Sequence, residues 1–252
     1  MSEVKDEFIH DIEEFYITGM PIKTDIGLVR FITVREYPTL SMKLSVLQTD
    51  KNRIVCEFTK SANAMKDGEE KQALQEFISA VEESTFYEVV KEIEDLEQGY
   101  IDLFAELFDD KDAWSKVDKE NFDYYRDLII KMNGISVSET NPNPEIQKWI
   151  DKSNRVKQQD NKDGLDFASM ISSLFVVGHS FKDINDLTMY QFYMAFQRLA
   201  KFKEYDSSTL FATVAPDVKV ENWFKTIKLG EKESSFMTQD KFNKDIGSTI
   251  KD

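Results

Sequence analysis

Residues 86–108, FYEVVKEIEDLEQGYIDLFAELF, place Phe86, Val89, Ile93, Leu96, Tyr100, Leu103 and Leu107 at alternating three- and four-residue steps. A helix puts all of these side chains on one face, and that face must be covered by something apolar. Two arrangements satisfy the requirement. A coiled coil would use the stripe as a seam between two chains. A bundle helix would bury it within the chain, and a second stripe of Val90, Ile101, Phe104 and Phe108 widens the face in favour of the bundle.

Helical periodicity dominates from about residue 69 onward. DKENFDYYRDLIIKMNG aligns Phe122, Tyr125, Ile129 and Met132, with Gly134 suited to the C-terminal cap. Asn143 is placed to cap a helix whose first position is Pro144, where a missing N–H costs nothing. Ile146, Trp149 and Ile150 make that helix's apolar face. Asp166 caps FASMISSLFVVG, and Val220, Trp223, Phe224 and Ile227 are spaced as a last packing helix.

The first 58 residues differ. Residues 6–17 read as a short acidic helix stopped by Gly19 and Pro21. PIKTDIGLVRFITVREYP, rich in β-branched and aromatic residues between two prolines, predicts one or two strands. TLSMKLSVLQ has helical leucine spacing, and KNRIVCEF reads as a further strand. The expected fold class is therefore α+β, predominantly α, with a small N-terminal mixed β-containing unit followed by a helical bundle. The expected divisions are a mixed unit at 1–60 and a helical domain at 61–229, with a sub-boundary in the polar stretch 158–164. A polar, flexible tail is expected at 230–252.

Charge narrows the partners. Asp and Glu number 47 against 32 Lys and Arg, a net charge of −15. Such a surface repels nucleic-acid backbones and anionic lipid, so no direct nucleic acid and no membrane are expected as partners. No apolar run approaches the roughly 18–20 residues of a membrane span. The acidic N-terminus lacks a signal-peptide core, and Cys56 is the single cysteine, which permits no intrachain disulfide. The chain is expected to stay in the cytoplasm where it is made.

Catalytic chemistry finds few materials. His10 lies in an acidic arm, and His179 in GHSF sits where a helix ends, which suits capping better than base catalysis. Two histidines and one cysteine do not assemble a zinc site. In QQDNKDGLDFAS a calcium-loop register set on Gly164 puts Gln159 first and Met170 twelfth, the wrong residue types for ligands. The nine glycines are scattered singly, so there is no phosphate-cradling loop. The expectation is no enzyme, no cofactor and no metal.

LTMYQFYMAFQRLAKFKEYDSST, residues 187–209, carries six aromatic rings. Thr188 and Gln191 form a capping box that sets the helix start. Met189, Phe192, Tyr193, Phe196, Leu199 and Ala200 fall on one broad face, the pattern of a helix central to a bundle. The sharper alternative leaves Tyr190, Met194 and Tyr205 as an aromatic patch for a partner helix. In the tail, Phe242, Ile246 and Ile250 sit four apart and form a second candidate docking segment.

Two stretches, GMPIKTDIGLVRFITVREYP and LDFASMISSLFVVGHSFKDINDLTMYQFYMAFQRLAKFKEYDSSTLFATVAPDVKVENWFKTI, together with the connector NPNPEIQKW, resemble tail-morphogenesis proteins of tailed bacteriophages of low-GC Gram-positive hosts. These are often called tail assembly chaperones and are usually encoded near the tape-measure protein. The likeness lies in aromatic and apolar pattern across about half the chain, with no site residues to carry over. It implies a non-catalytic protein that keeps the helix-rich tape-measure protein soluble while tail tube protein polymerises around it; self-association is compatible. The other readings are a structural virion component of the tail, neck or baseplate, an acidic nucleic-acid mimic that inhibits a host enzyme, and an interaction domain outside phage biology.

Overall fold

The computed structural model describes residues 15–160, 166–215, 219–227 and 229. The chain is α+β and predominantly α. The elements are β1 (Ile22–Lys23), β2 (Leu28–Val29), α1 (Tyr37–Leu44), α2 (Lys51–Ala64), α3 (Glu69–Glu83), α4 (Phe86–Glu92), α5 (Glu94–Leu107), α6 (Phe122–Met132), α7 (Pro144–Asp160), α8 (Phe167–Val176), α9 (Phe181–Asp186) and α10 (Met189–Ala212), with 3-10 turns at Ser45–Gln48 and Ala113–Lys116. They divide into two compact units: one of Met1–Leu47, Val90–Ile135 and Asp163–Glu231, the other of Gln48–Val89, Ser136–Lys162 and Lys232–Asp252.

The first unit is organised by an extended strap at residues 28–35. Its start pairs antiparallel with β1, Ile22 opposite Val29. The hairpin turns at Gly27, whose φ of +144° suits glycine and where a Cβ would lie 2.8 Å from Asp109 Oδ1. Along its other edge Arg30 N–H donates to Leu107 O, and Asp109 N–H donates to Leu28 O. Further on, Val34 N–H donates to Leu187 O while Met189 N–H donates to Ile32 O at 2.7 Å. The remaining inward N–H, on Ile32, donates to the Asn133 side-chain carbonyl at 3.2 Å. Val29, Phe31, Ile32 and Val34 are buried, so these bonds are what makes extended backbone tolerable inside the unit.

Against the strap lies an aromatic core. α5 buries Tyr100, Leu103, Phe104 and Leu107, positions i, i+3, i+4 and i+7. Tyr100 stacks on Trp114 with ring centres 5.5 Å apart, and Phe104 stacks on Phe108 at 5.1 Å. α6 contributes Phe122, Tyr125, Ile129 and Met132, as its spacing predicts. Gly134 (φ +60°) closes α6: its N–H donates to Lys131 O, and Ile135 N–H donates to Ile130 O. The buried Arg126 donates from Nη2 to Leu47 O at 2.6 Å and from Nε to Tyr100 Oη at 3.2 Å.

The long heptad segment is two helices rather than one. Ile93 is extended (φ −102°, ψ 101°) and stands at the N-cap of α5. Glu94, Asp95 and Glu97 then occupy the first turn of α5, where the helix dipole favours negative charge. Because the α5 stripe is buried within its own unit, it is bundle packing and no seam between chains.

At the unit's edge Glu106 accepts from Lys43 at 2.9 Å and from Arg30 at 3.1 Å, while Arg30 also reaches Glu36 at 2.8 Å. The Lys43 hydrogen bond is the largest influence on Glu106 and, with both cations, outweighs partial burial, holding the carboxyl below its ordinary value. A carboxyl depressed on folding contributes stability that is present above its unfolded pKa and is lost as pH falls through the folded one. Thermal stability should therefore fall as pH drops below about 4.5, and Glu106→Gln should flatten that part of the Tm–pH curve. Parallel wild-type and variant curves would remove Glu106 from the account.

The second unit is built on α2 and α3, with α7 against α2. The segment KNRIVCEF is helical, correcting the predicted strand. Asp50 caps it, accepting from Arg53 N–H at 2.6 Å, Ile54, Val55 and Ala62 are buried, and the helix packs on α3. Phe58 meets Phe77 edge-on at 5.0 Å. Packing in a helical hairpin overrides the β propensity of Ile-Val-Cys. Asn143 caps α7 as predicted, accepting from Glu145 N–H at 2.9 Å. The apolar face expected for α7 is only partly used: Trp149 is 66% exposed, with Lys152 Nζ 5.3 Å from its ring centre.

Candidate apolar interaction surface

The surface that stands out belongs to the first unit and is built by α8, α9 and α10. Local chemistry sets each helix start. Asp166 Oδ1 accepts from Ser169 N–H at 2.6 Å, and Ser180 Oγ accepts from Asp183 N–H at 3.1 Å. Thr188 and Gln191 make the predicted reciprocal box. At the end of α8, Gly178 (φ +108°) lets His179 N–H donate to Leu174 O, so the histidine's backbone closes the helix.

α10 is most deeply buried at its beginning. Met189 and Phe192 are fully buried, and Phe167 of α8 meets Phe192 at 5.2 Å. The opposite end of α8 lies beside Ala200 and Lys203. The two helices therefore run side by side in the same direction, and α10 continues for nine residues past Lys203, about 13 Å at 1.5 Å per residue. This corrects the expectation of a central bundle helix, since Phe202, Leu210 and Phe211 are exposed.

One side of α10 is covered by residues 219–225. Arg198 Nη1 donates to the carbonyls of Trp223 (2.5 Å) and Lys225 (3.0 Å), and the Trp223 ring meets Phe202 at 5.3 Å. This segment is not the predicted last helix. Arg198 takes up its carbonyls, and Asn222 Oδ1 accepts from Phe224 N–H in a local turn that competes with helix. Tyr205 lies on this covered side, next to Lys219–Trp223. Tyr190, half-buried, has its ring 5.3 Å from that of Tyr16, and Met194 is half-buried. Phe242, Ile246 and Ile250 lie outside the described residues.

The other side is apolar and, among the described residues, exposed beyond the end of α8. Between α8 and α10 runs a groove of about 410 Å³, walled by Ser172, Ser173, Val176 and Val177 on one side and Phe196, Leu199, Ala200 and Lys203 on the other. Where α8 turns into α9, Phe175 and Phe181 stack face to face at 4.4 Å, both about half exposed. Along α10 the same face continues to Leu210 (70% exposed) and Val214 (81% exposed). Helical spacing puts Phe175 on the buried side of α8 with Met170, Ile171 and Leu174, yet Phe175 is 48% exposed and only Leu174 of the four is buried; Phe181, Leu210 and Val214 were equally illegible as surface. Their spacing carried no mark that the cover would be missing.

A second concavity, about 580 Å³, lies between α2 and α7 in the other unit. Its walls mix Glu57, Lys60, Lys148, Asp151, Lys152 and Arg155. Cys56 lies at its base, where burial, followed by the nearby Glu57, pushes the thiol above its ordinary value and disfavours the reactive thiolate. Among the described residues no group of three or more His, Cys, Asp and Glu side chains is placed to hold a metal ion. No helix of the described residues is long and apolar enough to cross a membrane.

Residues 10–142 match the family model described as the YomV N-terminal domain, and residues 157–228 match the YomV second domain. The chain belongs to the YomV family. A relative, the SPbeta prophage-derived uncharacterized protein YomV of Bacillus subtilis (strain 168), is 34% identical over 228 residues, covering 90% of this chain and 93% of the relative. The prophage origin of this family member supports phage descent for the chain. The N-terminal match contains the strap and the aromatic core, and the match to the second domain contains α8, α9 and α10. No solved structure matches.

Proposed function

We propose that this YomV-family chain is a non-catalytic assembly factor of phage tail morphogenesis, working in the host cytoplasm by holding an amphipathic helix of the tape-measure protein. The observation that carries the reading is the exposed apolar patch where α8 turns into α9: Phe175 and Phe181 stack in the open, next in sequence to the exposed Val176 and Val177. Contiguous exposed apolar surface bounded by polar residues is a mark of protein interaction, and an amphipathic helix binds such a surface by its apolar stripe. The chain's resemblance to tail assembly chaperones names the partner, and its net charge of −15 keeps such a protein soluble while the patch is open.

Co-expression with the tape-measure protein of the same phage tests the proposal. The full chain should bring the tape-measure protein into the soluble fraction and co-purify with it. Phe175→Asp/Phe181→Asp should reduce recovery by about tenfold or more, because the rings are replaced by charges that must be desolvated. Mass spectrometry should find the chain abundant in lysate and missing from purified virions. Failure of the wild type to bind, or a fixed copy number in virions, would overturn the assembly-factor reading, the second result in favour of a structural tail component.

A further inference from the structure

The uncovered face of α10 reads almost the same in either direction. Its groove half carries Phe196, Leu199 and Ala200, its protruding half carries Leu210, Phe211 and Val214, and between them stand Lys203, Asp206 and Ser207. Phe196, Leu199, Lys203 and Leu210 follow one another at intervals of three, four and seven residues, so they share one side of the helix, and Val214, just past its end at Ala212, stands four residues further on. α8 flanks only the first half of this stripe.

We propose that this stripe is an interface with a second copy of the chain, formed by two α10 helices packed antiparallel about a two-fold axis at position 205. In that register Val214 of one copy meets Phe196 of the other, Leu210 meets Leu199, and Phe211 meets Ala200. Each protruding apolar end thus fills the other copy's groove. At the middle, Lys203 of each copy comes beside Asp206 and Ser207 of the other. Within one copy Lys203 Nζ is 4.0 Å from Asp206 Oδ2, an exposed pair that gains a second partner across the axis. The stripe from 196 to 214 is about 28 Å long at 1.5 Å per residue.

The order of the stripe selects this occupant. An apolar–basic–acidic–apolar sequence is complementary in shape and charge to its own reversal, and a two-fold interface requires that self-complementarity. An unrelated amphipathic helix would have to reproduce the same polar break at its centre. The inference goes beyond the assembly-factor reading and stands without it, because that reading is tested at Phe175 and Phe181.

Sedimentation equilibrium of the full chain at about 0.15 M salt, where the mutual repulsion of two acidic copies is screened beyond roughly 8 Å, provides the test. The wild type should show a concentration-dependent monomer–dimer equilibrium. Leu210→Asp should weaken it by about tenfold or more, with helix content and Tm unchanged because Leu210 is 70% exposed in a single copy. Lys203→Glu should weaken the dimer by placing four carboxylates at the axis, and Lys203→Glu/Asp206→Lys should restore it. A chain that is monomeric at every concentration, a dimer indifferent to Leu210→Asp, or a charge swap that fails to rescue would overturn the proposal. So would a monomer that engages a tape-measure helix through Leu210.

Discussion

Phe104→Ala should lower the unfolding free energy by about 3–5 kcal/mol, the range for emptying an aromatic site in a packed core. Phe104 is fully buried, stacks on Phe108 and meets Trp114 edge-on at 5.3 Å. Its removal leaves a void framed by other rings, and rigid rings collapse into a void poorly. Aromatic pairs also contribute about 0.5–1.5 kcal/mol each beyond the area they bury. The matched control is Phe175→Ala. Phe175 also stacks on a phenyl ring, that of Phe181, but is 48% exposed, and its loss should cost less than about 1 kcal/mol. Urea unfolding followed by tryptophan fluorescence compares the two. Equal losses would mean that the Phe175–Phe181 patch is structural core and the reading of it as an interaction surface is wrong.

Arg126→Ala should cost about 3 kcal/mol, and Arg126→Lys should recover less than half of that. The guanidinium is 6% exposed and works as a donor: Nη2 reaches Leu47 O, Nε reaches Tyr100 Oη, and Asp127 lies 3.9 Å from Nη1. Hydrogen bonds from a charged donor contribute about 1.5–3 kcal/mol each, and the alanine variant also leaves the Leu47 carbonyl facing a cavity. Lysine fails for a geometric reason. Its single ammonium does not span two acceptors that the planar guanidinium reaches from separate nitrogens. Burial pushes the Tyr100 hydroxyl up to about 12, against a smaller downward pull from Arg126, so it remains a neutral hydrogen-bond partner at ordinary pH. Chemical denaturation of the three proteins checks the order; a lysine variant as stable as wild type would show that charge alone is what the site needs.

Local rules were legible where the chain talks to itself over three or four residues. The caps at Asn143, Asp166 and Thr188, and the left-handed close at Gly134, are all where their residue types placed them. The α5 and α6 core faces were equally plain, because apolar period and burial coincide there. Errors arose where a local preference competed with a distant partner. KNRIVCEF looked like a strand until α3 covered it as a helix, and VENWF had helical spacing until Arg198 took its carbonyls. The break at Ile93 was hidden because a heptad pattern survives a single interruption in the backbone.

By itself, then, the sequence determined the class of fold, the starts and stops of most helices, the acidic balance and the shortage of residues for covalent chemistry. Each of these depends on composition or on neighbours within one turn of chain. Only the tertiary structure decided which apolar faces are covered. Leu199 and Leu210 are the same residue type on the same side of the same helix, yet one lines a groove beneath α8 and the other stands in solvent. Hydrophobic burial is non-directional and belongs to pairs of surfaces, so the open half of that stripe appears only once α8 is seen to end at Val176.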